Sequence, residues 1–127
     1  MAKAAKERKF DLEERLLEFS TRIIRLSGSI IKTDPGRHVA LQIMRSGTSP
    51  YAQHAEAEDA ESMDDFIHKL KLCLKEMRET RRWLRLTYHV PLVEKLALLT
   101  PLLQESDELI RIFRQSVITA RSRKNQT

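Results

Sequence analysis

Cysteine occurs once in this chain of 127 residues, as Cys73, so an internal disulfide is excluded. Cys73 lies among apolar neighbours at helical spacing, which is the setting of a buried, reduced thiol. Glycine is scarce at 3 and proline at 4, and aromatic residues make up only 6%. Such a composition is poor in turns and in strand-favouring side chains and rich in helix formers. No apolar run approaches the roughly 20 residues needed to cross a bilayer. The opening Met-Ala-Lys-Ala-Ala-Lys-Glu-Arg-Lys has no apolar signal core. A cytoplasmic protein without a membrane partner is therefore expected. The length allows one domain at most, large enough to bury about two-thirds of its unfolded surface without staples.

Charge is abundant, at 32% of residues, and unevenly placed. The net charge is +5, with a basic stretch over residues 1–10 and five basic residues and no acid from Arg111 onward. Residues 54–65 are the reverse, carrying Glu56, Glu58, Asp59, Glu61, Asp64 and Asp65 and no Lys or Arg. A surface polarised in this way suits an acidic partner such as nucleic acid, or charge pairing between copies of the chain.

Apolar periodicity predicts four helical segments. The first is expected from Asp11, with Glu14 completing a capping box, and carries Leu12, Leu16, Phe19, Ile23, Leu26 and Ile30. The second is expected from about Pro35 to Asp59, with Asp34 as cap and Pro35 at the first position. Its middle holds Gly47 and Pro50, so a kink is expected there and a close helix approach at residues 46–49. The third begins after Ser62, ends near Thr87, and has a stripe of Phe66, Leu70, Cys73, Met77, Thr80 and Leu84, widened by Ile67 and Leu74. The fourth is expected to be broken, with a short helix over 92–99 and a long one from Pro101 capped by Thr100. Leu103, Ile110, Phe113, Val117 and Ala120 form its expected stripe. Short links between long amphipathic helices specify an all-α, up-down-up-down four-helix bundle. The division expected is a basic N-terminal arm over 1–10, the bundle over 11–121, and a polar, fraying tail over 122–127.

No reaction is legible. Bundles that hold two metal ions supply inward Glu residues and two Glu-x-x-His pairs, whereas the nearest pattern here is a single Asp65-x-x-His68. Ser46, Thr48 and Ser49 stand near His54, but no strand-to-helix elbow is available to expose a nucleophilic serine, and such hydroxyls serve packing or bond back to the helix. There is no glycine-rich phosphate loop. A non-enzymatic protein without metal or other cofactor is expected.

The basic residues of the third helix are more informative. Lys71, Lys75, Arg78, Arg82 and Arg85 step by four, three, four and three, which places all five on one face. A line of cations along a helix tracks phosphates without reading sequence, and the tail residues Arg121, Arg123 and Lys124 extend the same charge. A solvated helix face explains such a row equally well, because Glu76 and Glu79 stand where local ion pairs could neutralise part of it. Off the main stripe, Leu72, Trp83 and Leu86 make a second apolar face suited to subunit contact.

Three blocks, taken in order, carry a resemblance: Gln42-Ile-Met-Arg-Ser-Gly-Thr-Ser-Pro-Tyr-Ala-Gln-His-Ala-Glu56, Asp65-Phe-Ile-His-Lys-Leu-Lys-Leu72, and Lys75-Glu-Met-Arg-Glu-Thr-Arg-Arg-Trp-Leu-Arg-Leu86. Together they resemble the bacterial four helix bundle protein family. That family is named for proteins encoded in intervening sequences of large-subunit ribosomal RNA genes, and it includes accessory proteins of diversity-generating retroelements. The likeness runs from about Phe10 to Phe113. Its central pattern reads Arg-Ser-Gly-Thr-Ser-Ile-Gly-Ala-Asn-x-x-Glu-Ala, and the chain departs from it at Pro50, Tyr51 and Gln53. The resemblance implies a bundle assembled into a ring-like homopentamer with a positive surface and no catalytic residues. It implies nucleic-acid binding or, in the retroelement branch, docking to a reverse transcriptase and its RNA template. Arg45, Ser49 and Glu56 carry over as structural motif positions.

Overall fold

The computed structural model describes residues 2–126, with side chains from Leu12 onward. Four long helices follow one another: α1 (Ala2–Ser29), α2 (Asp34–Glu58), α3 (Met63–His89) and α4 (Leu99–Asn125), with a single 3₁₀ turn (Leu96–Leu98) before α4. No strand occurs among the described residues. The helices run up, down, up and down. The pairs Arg45–Glu79 and Lys69–Glu56 set the antiparallel register of α2 on α3, and Lys124–Asp64 and Arg81–Asp107 set that of α3 on α4. The main packing surfaces join α2 to α3, α3 to α4 and α1 to α2, and α1 meets α4 more lightly.

The core follows the apolar stripes. Leu16, Phe19, Ile23 and Leu26 of α1 and Ile30 just past its end are all buried, as are Leu70, Cys73, Met77, Thr80 and Leu84 of α3, whereas Phe66 is half-buried. On α4 the buried face is Leu99, Leu102, Ser106, Leu109, Phe113, Val117 and Ala120. Leu103 and Ile110, expected on that stripe, are only half-buried, because Leu102 and Leu109 take the inward positions one residue earlier.

The helix ends differ from expectation in ways that local chemistry explains. α1 begins at Ala2 rather than near Asp11, as the run Ala-Lys-Ala-Ala-Lys-Glu-Arg contains no breaker. The Asp11 side chain, like the charges of residues 1–10, lies outside the described residues. Thr33, not Asp34, caps α2: its Oγ1 accepts the Gly36 N–H at 3.1 Å, and Asp34 becomes the first helical residue. Gly36 is required there, since a Cβ would stand 2.0 Å from the Ile31 carbonyl oxygen. Ser62 caps α3 as expected, accepting the Asp65 N–H at 3.0 Å. α3 continues two residues past Thr87 to His89, and α4 remains helical through the polar tail to Asn125.

The expected short helix over 92–99 is replaced by an irregular link over 92–95, the 3₁₀ turn and the start of α4. The Leu92 N–H donates to the Thr87 carbonyl and its own carbonyl accepts the Ile31 N–H, both at 2.9 Å, while Leu92 and Val93 are buried. Leu92 thus joins the end of α1 to the end of α3, and its two backbone groups are satisfied there rather than by helical bonds. The Leu98 N–H bonds to the Lys95 carbonyl, so the chain winds directly into α4 and Thr100 does not cap it.

Cys73 is buried, with its thiol 3.8 Å from the Pro50 carbonyl. Burial, seconded by the charges of Glu56 and Glu76 and opposed by a backbone hydrogen bond, pushes its pKa up to about 12. The thiolate that reacts with disulfide reagents is therefore scarce at pH 8. Native protein is expected to leave Cys73 unlabelled by an aromatic disulfide at pH 8, and full labelling should appear only in denaturant. Rapid native labelling would contradict this burial.

Candidate nucleic-acid interface on the third helix

Position on α3 divides its polar residues into three sets. One flank meets α2. There the Arg45 guanidinium pairs with both Glu76 and Glu79, Lys69 donates to Glu56 at 3.4 Å, and the buried hydroxyls of Thr80 and Ser46 share a 2.9 Å hydrogen bond. The other flank meets α4, where Arg81 donates to Asp107 at 2.5 Å. The outer face holds Lys71, Lys75, Arg78, Arg82 and Arg85, all exposed.

None of these five cations has an ion-pair or hydrogen-bond partner among the described residues. The acids that could have neutralised the row locally are engaged elsewhere. Glu76 and Glu79 turn toward α2 and are held by Arg45, and Glu79 also accepts the Trp83 Nε1–H at 3.1 Å. At 1.5 Å per residue, the row from Lys71 to Arg85 spans about 21 Å. Chemically it is a straight series of solvated donors over a length of a few nucleotides, suited to phosphate oxygens and blind to base identity.

The tail cations do not all join the row. Lys124 is paired with Asp64 at the start of α3. Arg123 borders a surface groove with Met63, Phe66 and Ile112, and Arg121 is exposed. Of the expected subunit-contact residues, Leu72 and Trp83 are half-buried and Leu86 is 43% exposed. The Trp83 ring meets His38 of α2 edge-on, with centroids 6.0 Å apart.

The motif positions tie helices together. Arg45 and Glu56 both pair with α3, and the Ser49 hydroxyl donates to the Arg45 carbonyl at 2.6 Å. Gly47 is the close-approach residue of α2: a Cβ there would lie 2.8 Å from Cγ2 of the fully buried Ile23 on α1. α2 runs unbroken through Pro50, which is buried. Gln53, at another departure from the pattern, buries its Oε1 without a hydrogen-bond partner.

Asp65 and His68 are not brought into a metal cluster, and no group of three or more potential ligands forms among the described residues. His54 is buried against Phe113, with Nδ1 3.5 Å from the Glu58 carboxylate. No described helix is long and apolar enough to cross a membrane.

A feature missed at the level of sequence is an exposed apolar pair on α1, Leu17 and Ile24, with Ile31 just beyond the helix end. Leu17, Ile24 and Ile31, spaced by seven, are 41%, 54% and 39% exposed. The heptad spacing was the available signal, but the stronger core stripe of the same helix masked it.

Residues 8–115 match the family model of the 23S rRNA-intervening sequence protein. Among solved structures, a protein of unknown function from the S23 ribosomal protein family of Bacteroides thetaiotaomicron VPI-5482 is similar at 32% identity and a TM-score of 0.76. That match covers 84% of this chain and 97% of the other. No curated protein is detectably similar. The matched span takes in α2 and α3 whole, with the motif from Arg45 to Glu56 and the row from Lys71 to Arg85, and the chain belongs to the 23S rRNA-intervening sequence protein family.

Proposed function

We propose that this protein is a non-enzymatic, self-associating bundle that binds nucleic acid through phosphate contacts along the outer face of α3. The observation that carries the reading is the row of five exposed cations without partners among the described residues, whose nearest acids are occupied by Arg45. A row on one bundle offers about five phosphate contacts, enough for salt-sensitive binding. Several copies would multiply that avidity. Binding to labelled RNA and DNA of mixed sequence, titrated at several salt concentrations, tests the reading. Affinity that falls steeply with salt and barely varies with sequence supports it, and absence of binding at low salt refutes it.

Self-association is favoured by the exposed Leu17 and Ile24 on α1, with Ile31 just beyond its end, apolar side chains that water meets unless another surface covers them. The family likeness points to a ring of five. A native mass spectrum at moderate salt is expected to show a five-chain species, and a clean monomer would exclude the ring. In that case the charged face would serve a single small module docking to a partner such as a reverse transcriptase.

A further inference from the structure

On the flank of α3 toward α2, next to the basic row, lies a depression of about 450 Å³ lined by Arg78, Glu79, Arg82, Trp83 and Leu86. We propose that it receives an unpaired base of a single-stranded nucleic acid, stacked on Trp83, so that the protein prefers single strands to duplexes. The inference rests on the phosphate-binding reading above and specifies the form of the ligand.

Charge and shape favour this occupant. Arg78 and Arg82 belong to the row and also wall the depression, so a base entering it leaves its own phosphate beside the cations. Leu86 is 43% exposed and Trp83 half-buried, which gives an apolar surface open to solvent. The indole is already fixed, with Nε1–H donated to Glu79 at 3.1 Å and His38 set against the ring at an interplanar angle of 78°. A ring held in place loses little freedom when a base stacks on it. The one acid in the wall, Glu79, is compensated by Arg45 and by the indole N–H, so it opposes the ligand weakly. Bases in a duplex are stacked on one another and do not reach a side-chain platform on a helix flank, whereas those of a single strand can.

Trp83 is the only tryptophan, so its emission reports on this position alone. The test titrates full-length protein with a single-stranded oligouridylate, with a blunt RNA duplex of equal length, and with a strand of equal length lacking bases. Expected are quenched emission with the oligouridylate only, and affinity for it about tenfold above the other two, the order that one aromatic–base stack contributes. Leu86→Asn and Trp83→Leu should each bring the single-strand affinity down to that of the duplex. Leu86→Asn, at an exposed position, keeps the test valid if Trp83→Leu disturbs packing. Binding of all three ligands within twofold, with unmoved emission, overturns the base site and leaves the phosphate reading standing. Absence of binding to any of them overturns both.

Discussion

Replacing Lys75, Arg78 and Arg82 together by glutamate is expected to weaken RNA binding by on the order of a hundredfold near physiological salt, with the melting temperature changed little. The size follows from the geometry. Three central members of a five-cation row become repulsive, and none gives up an ion pair with the described residues, so the folded state loses almost nothing. Replacement by glutamine separates the contributions. Each phosphate contact on a single strand adds about 0.7 to the slope of log affinity against log salt, so three neutralisations should lower that slope by about 2. An unchanged affinity and slope in both variants would remove α3 from the interface. Reversal of Arg81 is the internal control. Its guanidinium serves Asp107 on α4, and its loss should affect stability more than binding.

Gly47→Leu should cost about 3 kcal/mol of stability, or roughly 10 °C in melting temperature. The added Cβ alone would stand 2.8 Å from Cγ2 and 2.9 Å from Cγ1 of Ile23. Ile23 is fully buried and has no space to retreat, so α1 and α2 must separate. Gly47→Ala is milder, since alanine recovers about 1 kcal/mol of helix propensity that offsets part of the clash. Combining Gly47→Ala with Ile23→Ala, which removes all three opposing carbons (Cγ2, Cγ1 and Cδ1), should be less destabilising than the sum of the two. Thermal melts of the four proteins measure this coupling. Strict additivity would show that the α1–α2 approach is not set at this contact.

These two results bear on the two halves of the motif shared with the family. The first half, at Arg45, shapes the surface from a distance. By holding Glu76 and Glu79 it leaves the α3 row uncompensated. The second, at Gly47, positions α1. Its placement decides where α1, with the exposed Leu17 and Ile24, sits on the bundle.

Much of this was legible from residues alone because helices are local. A period near 3.6 identified the buried faces of α1 and α3, and Ser62 could be read as a cap because its partner, the Asp65 N–H, is only three residues away. The five-cation row was visible for the same reason, since helical spacing alone puts Lys71 to Arg85 on one face. Whether that row was neutralised could not be read. Glu76 and Glu79 lie within reach of it, and only the docking of α2 brings Arg45 close enough to win them. The link over 92–98 was equally undetermined. Its apolar residues suit a helix or an irregular link, and the Ile31 N–H just past the end of α1 holds the non-helical form by bonding to the Leu92 carbonyl. The inward face of α4 was settled by packing against α3, which turned Leu102 and Leu109 into the core in place of Leu103 and Ile110. The sequence by itself determined the four helices and the charge each face carries, because both depend on neighbours within a turn. The tertiary structure decided which charges remain unpaired and which apolar residues remain uncovered, because both depend on groups 30 or more residues distant, such as Arg45 and Glu76.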